Sequence, residues 1–409
     1  MKNNIQIFIF TFLIFVISQF GCIAYNKNIY LNYEILSPDE EIIIPFEIYR
    51  NDIRMKATVN NKECYVLLDN GSLWDELLFF GSPKVDSLGL NLTGETYIGD
   101  STATNPIIAD IDTSVNIAFQ NIVFKKQKAI ITRYIPGLPN MWEGADLQIS
   151  AAFFKNFVVE INFDKRYIKL IHPEKFNYTD KGQELKMKEG SYNSRLITAD
   201  VTQSNGKKIS IDLLIDLGGV HPLYLPIGKR DDIILPNNVI ESILGSGLQG
   251  PVIGYIGRVK ELKLGCYKID NVLTAFSEVD KSADEYGNTM LGIKLLQQFN
   301  ITFDYFNERI FLLTSKDFNK HVSFNMTGLE LLTNPDGNMG VMRVYPDSPA
   351  GRAGIVKGDI ITHINSVQIK ELTSNEIRKI LMQEGETVIL KVKSNSQHKE
   401  ILIKLREII

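Results

Sequence analysis

Two aspartates stand in matching company. Asp69-Asn70-Gly71-Ser72 follows the apolar run Tyr65-Val66-Leu67-Leu68, and Asp216-Leu217-Gly218-Gly219 follows Leu213-Leu214-Ile215. In each case a strand-like hydrophobic segment ends in Asp-x-Gly. A lone Asp-x-Gly is an ordinary turn signal, because both residue types favour turns. Two copies at the ends of matched segments imply two carboxylates brought face to face. At contact, like charges raise one pKa, so the pair shares a proton, and the ionised partner can take a proton from water. The chemistry expected of Asp69 and Asp216 is therefore general acid–base hydrolysis, with the pair titrating as one unit.

The elements that must position these groups repeat as well. A second block follows each motif: Ala151 to Phe163 after the first, Leu291 to Asp304 after the second. Both read as a short amphipathic helix, over Ala151–Phe157 and Ile293–Phe299, leading into a strand. Between the motifs the chain consists of alternating or continuous apolar runs of strand length, which favours a mainly β, barrel-like architecture over a parallel βαβ sheet. Asn60-Asn61 between two such runs predicts a hairpin turn. Residues 40–175 form the expected first lobe, Phe176–Gly190 a polar linker, and residues 190–315 the second lobe. A further α+β module is expected over 325–409, with a helix from Ser374 to Gln383, Ser374 as its N-cap and Gly385 as its stop.

A chain of 409 residues with 44% hydrophobic composition has core enough for such modules. Its net charge of -4, with no basic cluster, argues against nucleic acid. Lys2 and the apolar stretch Ile5–Phe20 read as an export signal over residues 1–24, short of the about 20 apolar residues of a spanning helix. Cleavage after Ala24 and lipidation of Cys22 in Gly21-Cys22 both fit. The expected location is the periplasm or cell envelope, with membrane contact only through that lipid. Cys64 and Cys266 read as free, buried thiols. The five histidines are scattered, so no metal and no cofactor are expected. His221 reads as a packed residue.

The string Ser348-Pro349-Ala350-Gly351-Arg352-Ala353-Gly354-Ile355 followed by Lys357-Gly358-Asp359-Ile360 and Ile364-Asn365 resembles a PDZ domain of the bacterial protease-associated type. The resemblance implies that Thr327-Gly328-Leu329-Glu330-Leu331 is the loop presenting backbone N–H groups to the terminal carboxylate of a C-terminal peptide, which then adds as a strand to the sheet edge. Glu330 stands where many such loops keep glycine or an apolar residue. Residues 40–315 resemble bacterial two-lobed aspartyl proteases of the retropepsin-like group that carry a C-terminal PDZ domain. That likeness implies a pepsin/retropepsin-like β-barrel fold, a dyad of Asp69 and Asp216, and active-site loops Asn70-Gly71-Ser72 and Leu217-Gly218-Gly219. It also implies a flap over Gly245–Val259, with Tyr97–Asp100 as its counterpart.

The family motif is Asp-Thr-Gly, whose threonine hydroxyl bonds across to the partner loop. Asn70 and Leu217 replace it here, and Ile149-Ser150 stands where Leu-Gly is usual. Ser72 is placed to donate to Asp69. The expected function is an aspartic-type endopeptidase acting on peptide or unfolded-protein substrates. The alternative is a catalytically inactive pseudoprotease that binds peptides or scaffolds in the envelope, and a third class is a purely structural β protein.

Overall fold

The computed structural model describes residues 14–15, 32–37, 41–71, 76–100, 107–133, 144–150, 154–191, 194–228, 230–247, 250–278, 289–334, 336–394 and 397–409. They fall into two compact units, one running to His321 and one over Val322–Ile409. Among the described residues no helix is long and apolar enough to cross a membrane.

The first unit is built from one strand pattern used twice. The first copy comprises β1 (Ile42–Tyr49), β2 (Asp52–Val59), β3 (Lys62–Leu68), β4 (Leu77–Phe79), β5 (Gly94–Asp100), β6 (Ile107–Phe119), β7 (Ile122–Thr132), β8 (Leu147–Ile149), β9 (Val158–Asn162) and β10 (Tyr167–Ile171). The second comprises β11 (Gln183–Glu189), β12 (Arg195–Thr202), β13 (Lys208–Asp216), β14 (Leu223–Ile227), β15 (Ile240–Gly247), β16 (Gly250–Leu264), β17 (Tyr267–Glu278), β18 (Met290–Gly292), β19 (Phe299–Asp304) and β20 (Arg309–Thr314).

Pairing is the same in both copies. β3 runs parallel to β8 as β13 does to β18, and β4 lies antiparallel to β8 as β14 does to β18. β4–β7 and β14–β17 are parallel, while β5–β6 and β15–β16 are antiparallel hairpins. The copies join through β9 and β19, where Val159 faces Phe303 and Ile161 faces Ile301. The resulting sheet has the order β1-β10-β9-β19-β20-β11.

Sequence pattern explains these strands locally. β1 alternates buried and exposed residues from Ile42 to Glu47, as a sheet with one wet face requires. β13 begins in alternation and ends with every residue from Leu213 to Asp216 buried, so the strand dives into the core as it delivers Asp216. Asn60 and Asn61 adopt φ of 50° and 64°, the left-handed pair of a tight hairpin turn, and Val59 faces Lys62 across it. One apolar core spans both copies, from Ile42 to Leu312.

Several expectations are corrected. Gln183–Glu189, read as linker, is strand β11, because its sparse alternation suffices for a strand whose first part, Gln183 to Lys186, pairs with β20 and whose last part, Met187 to Glu189, pairs with β12. The helix after β18 is Ile293–Leu296, and Phe299 already belongs to β19. Of its first-copy counterpart, residues 151–153 lie outside the described set. Cys64 is buried, and burial pushes its thiol up to about 12, but Cys266 is exposed. The export signal lies outside the described residues except for Ile14–Phe15.

The second unit is a six-stranded sheet with the order β21 (Leu329–Thr333), β22 (Met339–Val344), β23 (Ile360–Ile364), β25 (Thr387–Ser394), β26 (Gln397–Lys404), and with β24 (Val367–Gln368) on β23. It has its own core, including Leu329, Val341, Ile361, Ile377 and Leu390. The helix spans Ser374–Leu381, and its N-cap is Thr373, not Ser374. Thr373 and Glu376 exchange side-chain bonds to backbone N–H groups, a reciprocal capping box.

Candidate active site

Asp69 follows β3, its N–H donating to the Ile149 carbonyl of β8 at 3.0 Å, and Asp216 is the last residue of β13, opposite Gly292 of β18. Each carboxylate lies against the other copy's loop. A methyl group on Gly71 would come 2.3 Å from Asp216 Oδ1, and one on Gly218 would come 2.5 Å from Asp69 Cγ. Neither glycine is in the left-handed region. What excludes a side chain is the opposing carboxylate, and not the tight turn that the sequence suggested.

The loops mirror each other in detail. Gly71 N–H donates to Asp69 Oδ1 at 2.9 Å, and Gly218 N–H to Asp216 Oδ1 at 2.8 Å. Burial pushes the Asp216 pKa upward, partly offset by the Gly218 N–H and by the Asp69 carboxyl. An aspartate held in this way carries a proton at a pH where an exposed one has lost it.

The link between the loops runs through Asn70. Its Oδ1 accepts the Leu217 N–H at 2.8 Å, and its Nδ2–H donates to the Tyr305 hydroxyl at 3.2 Å. The side-chain amide thus does from one side what a threonine hydroxyl was expected to do. Leu217 returns nothing of the kind, since its side chain is fully buried in the shared core. Tyr305 is clamped by Phe154, stacked at 5.5 Å, and by the Arg195 guanidinium over its ring. Burial holds its hydroxyl protonated, with a pKa pushed up to about 12.

Gln148 of β8 donates from Nε2 to Asp69 Oδ2 at 2.9 Å. Met290 holds the equivalent place on β18, opposite Leu214 as Gln148 is opposite Leu67, and has no donor to offer. The two aspartates therefore differ in their neighbours. Sequence reasoning missed Gln148 and Tyr305. A glutamine between Leu147 and Ile149 in a buried strand was the available signal. Tyr305 gave none, because its contact with Asn70 spans most of the chain.

Gly219 is packed near Asp216 Oδ2, and a methyl there would sit at 3.1 Å. Ser72 lies outside the described residues. Of the flap over Gly245–Val259, residues 245–247 lie on β15 and 250–259 on its antiparallel partner β16, residues 248–249 lying outside the described set, and Tyr97–Asp100 lies on β5, paired with β6. Among the described residues no group of three or more His, Cys, Asp or Glu side chains could hold a metal.

In the second unit the loop before β21 is internally engaged. Thr327 and Gly328 N–H groups donate to Asn325 Oδ1 at 2.9 and 2.8 Å, and Leu329 N–H donates to Thr327 Oγ1 at 3.0 Å. These three N–H groups, expected to meet a peptide carboxylate, are turned to the loop's own side chains. The Glu330 carboxylate accepts the Tyr345 hydroxyl and pairs with Arg343 at 3.5 Å. Leu331 follows a register shift in the β21–β22 pairing.

Residues 340–394 match the family model of the PDZ domain. A stretch of 92 residues, 22% of this chain, is 33% identical to a probable CtpA-like serine protease of Staphylococcus haemolyticus, and it covers 18% of that protein's length. Among solved structures, a PDZ domain protein from Parabacteroides distasonis shares 27% identity over 21% of each chain, with a TM-score of 0.19. The chain carries a PDZ domain at its C-terminus, a mainly β body before it, and a distant protease among its relatives.

Proposed function

We propose that this chain is an aspartic-type endopeptidase of the two-lobed, pepsin/retropepsin-like kind, exported to the cell envelope. Asp69 and Asp216 are its dyad, and its PDZ domain binds peptide or protein segments. The observation that carries this reading is the reciprocal fit of each carboxylate against the opposite motif glycine. An incidental pair of turns has no reason to exclude a methyl group at both positions.

In the proposed reaction the ionised member takes a proton from water as its oxygen attacks the peptide carbonyl. The protonated member gives its proton to the carbonyl oxygen. Collapse of the tetrahedral intermediate then breaks the C–N bond, with a proton passed to the leaving amine. The serine-protease description of the staphylococcal relative supports peptide-bond chemistry in general, and its match leaves most of both chains unaccounted for. The facing carboxylates favour the aspartic route.

The second reading is a peptide-binding pseudoprotease, and Leu217 favours it. Of the two equivalent side chains, Asn70 reaches across to the opposite loop and Leu217 does not. The deciding experiment incubates the full chain with a denatured protein mixture from acidic to neutral pH, beside Asp69→Asn and Asp216→Asn. Cleavage lost in both variants supports the dyad. Cleavage retained in both excludes it. Peptide binding without cleavage at any pH leaves the pseudoprotease.

A further inference from the structure

His221 lies five residues beyond Asp216 and is buried, with 6% of its surface exposed. It is fixed first from below. Gly292 N–H donates to the Pro222 carbonyl at 3.1 Å, and Ile293 N–H to the Gly219 carbonyl at 2.9 Å. A methyl on Gly292 would come 2.1 Å from the His221 carbonyl oxygen, so this segment rests directly on β18. The His221 N–H donates to the Tyr224 hydroxyl at 3.2 Å, and its ring meets the Tyr224 ring edge-on at 5.2 Å.

The ring then reaches the flap hairpin. His221 Nε2 lies 3.0 Å from the Leu244 carbonyl oxygen. In β15–β16, Ile243 faces Ile253 and Gly245 faces Val252, so Leu244 is the extra residue of a β-bulge. A bulge leaves its extra residue out of the ladder, and a buried carbonyl needs a donor from elsewhere. The imidazole is that donor. The Leu244 carbonyl can only accept, which puts the ring proton on Nε2, and Nδ1 has no hydrogen-bond partner among the described residues. The Leu244 side chain lies where a methyl on Gly254 would sit, 2.5 Å away, and this packs the bulge onto the opposite flap strand.

We propose that His221 is a positioning residue that latches the bulge of the β15–β16 flap to the loop carrying Asp216, so that flap seating and dyad geometry move together. The proposal rests on the peptidase reading for its consequence in turnover, but the latch itself is a property of the fold. A simple packing role needs only the ring, whereas the latch needs the Nε2–H.

The test compares the full chain with His221→Phe, which keeps a ring and removes the donor, and His221→Gln, which restores an N–H. Hydrogen exchange is followed over Ile240–Leu264, together with KM and kcat on a fluorogenic peptide. His221→Phe is expected to raise exchange in this hairpin and to raise KM about tenfold, the scale of one lost buried hydrogen bond, with a smaller change in kcat and recovery in His221→Gln. Unchanged exchange and unchanged KM in a folded His221→Phe variant overturn the latch. Raised exchange in a chain that cleaves nothing keeps the latch and removes the peptidase reading. If His221→Phe does not fold, 15N spectra of histidine in the unmodified chain decide. A slowly exchanging Nε2 proton supports the latch, and the Nδ1–H tautomer or a rapidly exchanging ring proton overturns it.

Discussion

Asn70 and Leu217 occupy equivalent positions and do opposite things. Asn70→Ala strips the acceptor from a buried N–H, which costs about 1–3 kcal/mol. The expected outcome is a lower urea midpoint with unchanged m-value and a loss of turnover, since the loops then hold their register through fewer bonds. Leu217→Thr supplies the hydroxyl of the usual motif yet removes a fully buried aliphatic side chain from the shared core. It is expected to lower stability by about 1–3 kcal/mol on the scale of core truncations. A gain in stability on denaturant unfolding would show that the missing hydroxyl mattered more than the packing.

The pH dependence has two opposed parts. Burial depresses the His221 pKa to about 3, with Lys294 adding to the effect and the Leu244 carbonyl opposing it, while Tyr224 packs against the ring. The unfolded chain takes that proton near the ordinary value of 6.5 and the folded chain refuses it, so this residue erodes stability as pH falls from about 6.5 to about 3. Asp216, with its pKa raised, acts the other way. Its contribution is full in acid and fades as pH rises through the folded value. In His221→Phe the change in urea midpoint on going from pH 7 to pH 4 is therefore expected to be shifted in favour of the folded state relative to the unmodified chain.

At the scale of elements, the helix Ser374–Leu381 depends on its cap. Thr373→Ala removes the hydroxyl that accepts the Glu376 N–H, while the Thr373 backbone N–H keeps its bond to the Glu376 carboxylate, and is expected to cost about 1 kcal/mol, measured by unfolding of the C-terminal unit. The loop before β21 makes a sharper case. With Asn325 and Thr327 already holding its N–H groups, a peptide with a free C-terminus is expected to bind no more tightly than the same peptide amidated. Fluorescence anisotropy with the matched pair reads this, and a tenfold preference for the free acid would show that the loop reopens.

The sequence made the strands and the repeat legible, because alternation in Ile42–Glu47 and the Asn60-Asn61 turn are local signals. It placed the cap one residue late because Ser374 and Thr373 are both good N-caps, and only the Glu376 contact distinguishes them. It misread Gln183–Glu189, whose one buried residue, Met187, is a weak local signal. The Asn70 bond to Leu217, the Tyr305 clamp and the His221 latch all span long stretches of chain, and no local pattern announces them. The two motif glycines were found for the wrong reason, since only the opposing carboxylate reveals why they must be glycine.

At the scale of the molecule, the sheet β1-β10-β9-β19-β20-β11 makes the two copies one body. A fragment ending near Lys181 keeps β9 but loses β19, so it is expected to be poorly folded alone and to recover when the second copy is co-expressed. Circular dichroism and dispersion in NMR spectra distinguish these outcomes, and a well-dispersed spectrum from the fragment alone would contradict the shared-core argument. The C-terminal unit has its own core and is expected to unfold in a separate calorimetric transition.

The β9–β19 seam also sets a schedule for synthesis. Val159 leaves the ribosome about 140 residues before its partner Phe303. At about 5–20 residues per second, the edge of β9 waits roughly 7–30 s with its backbone groups unpaired. It is a strand whose side chains are largely apolar, Val158-Val159-Glu160-Ile161-Asn162, and such an edge recruits whatever strand arrives first. Two nascent chains on neighbouring ribosomes would present the same edge to each other during that interval. Glu160 is the one charge on this strand that stands against such mispairing.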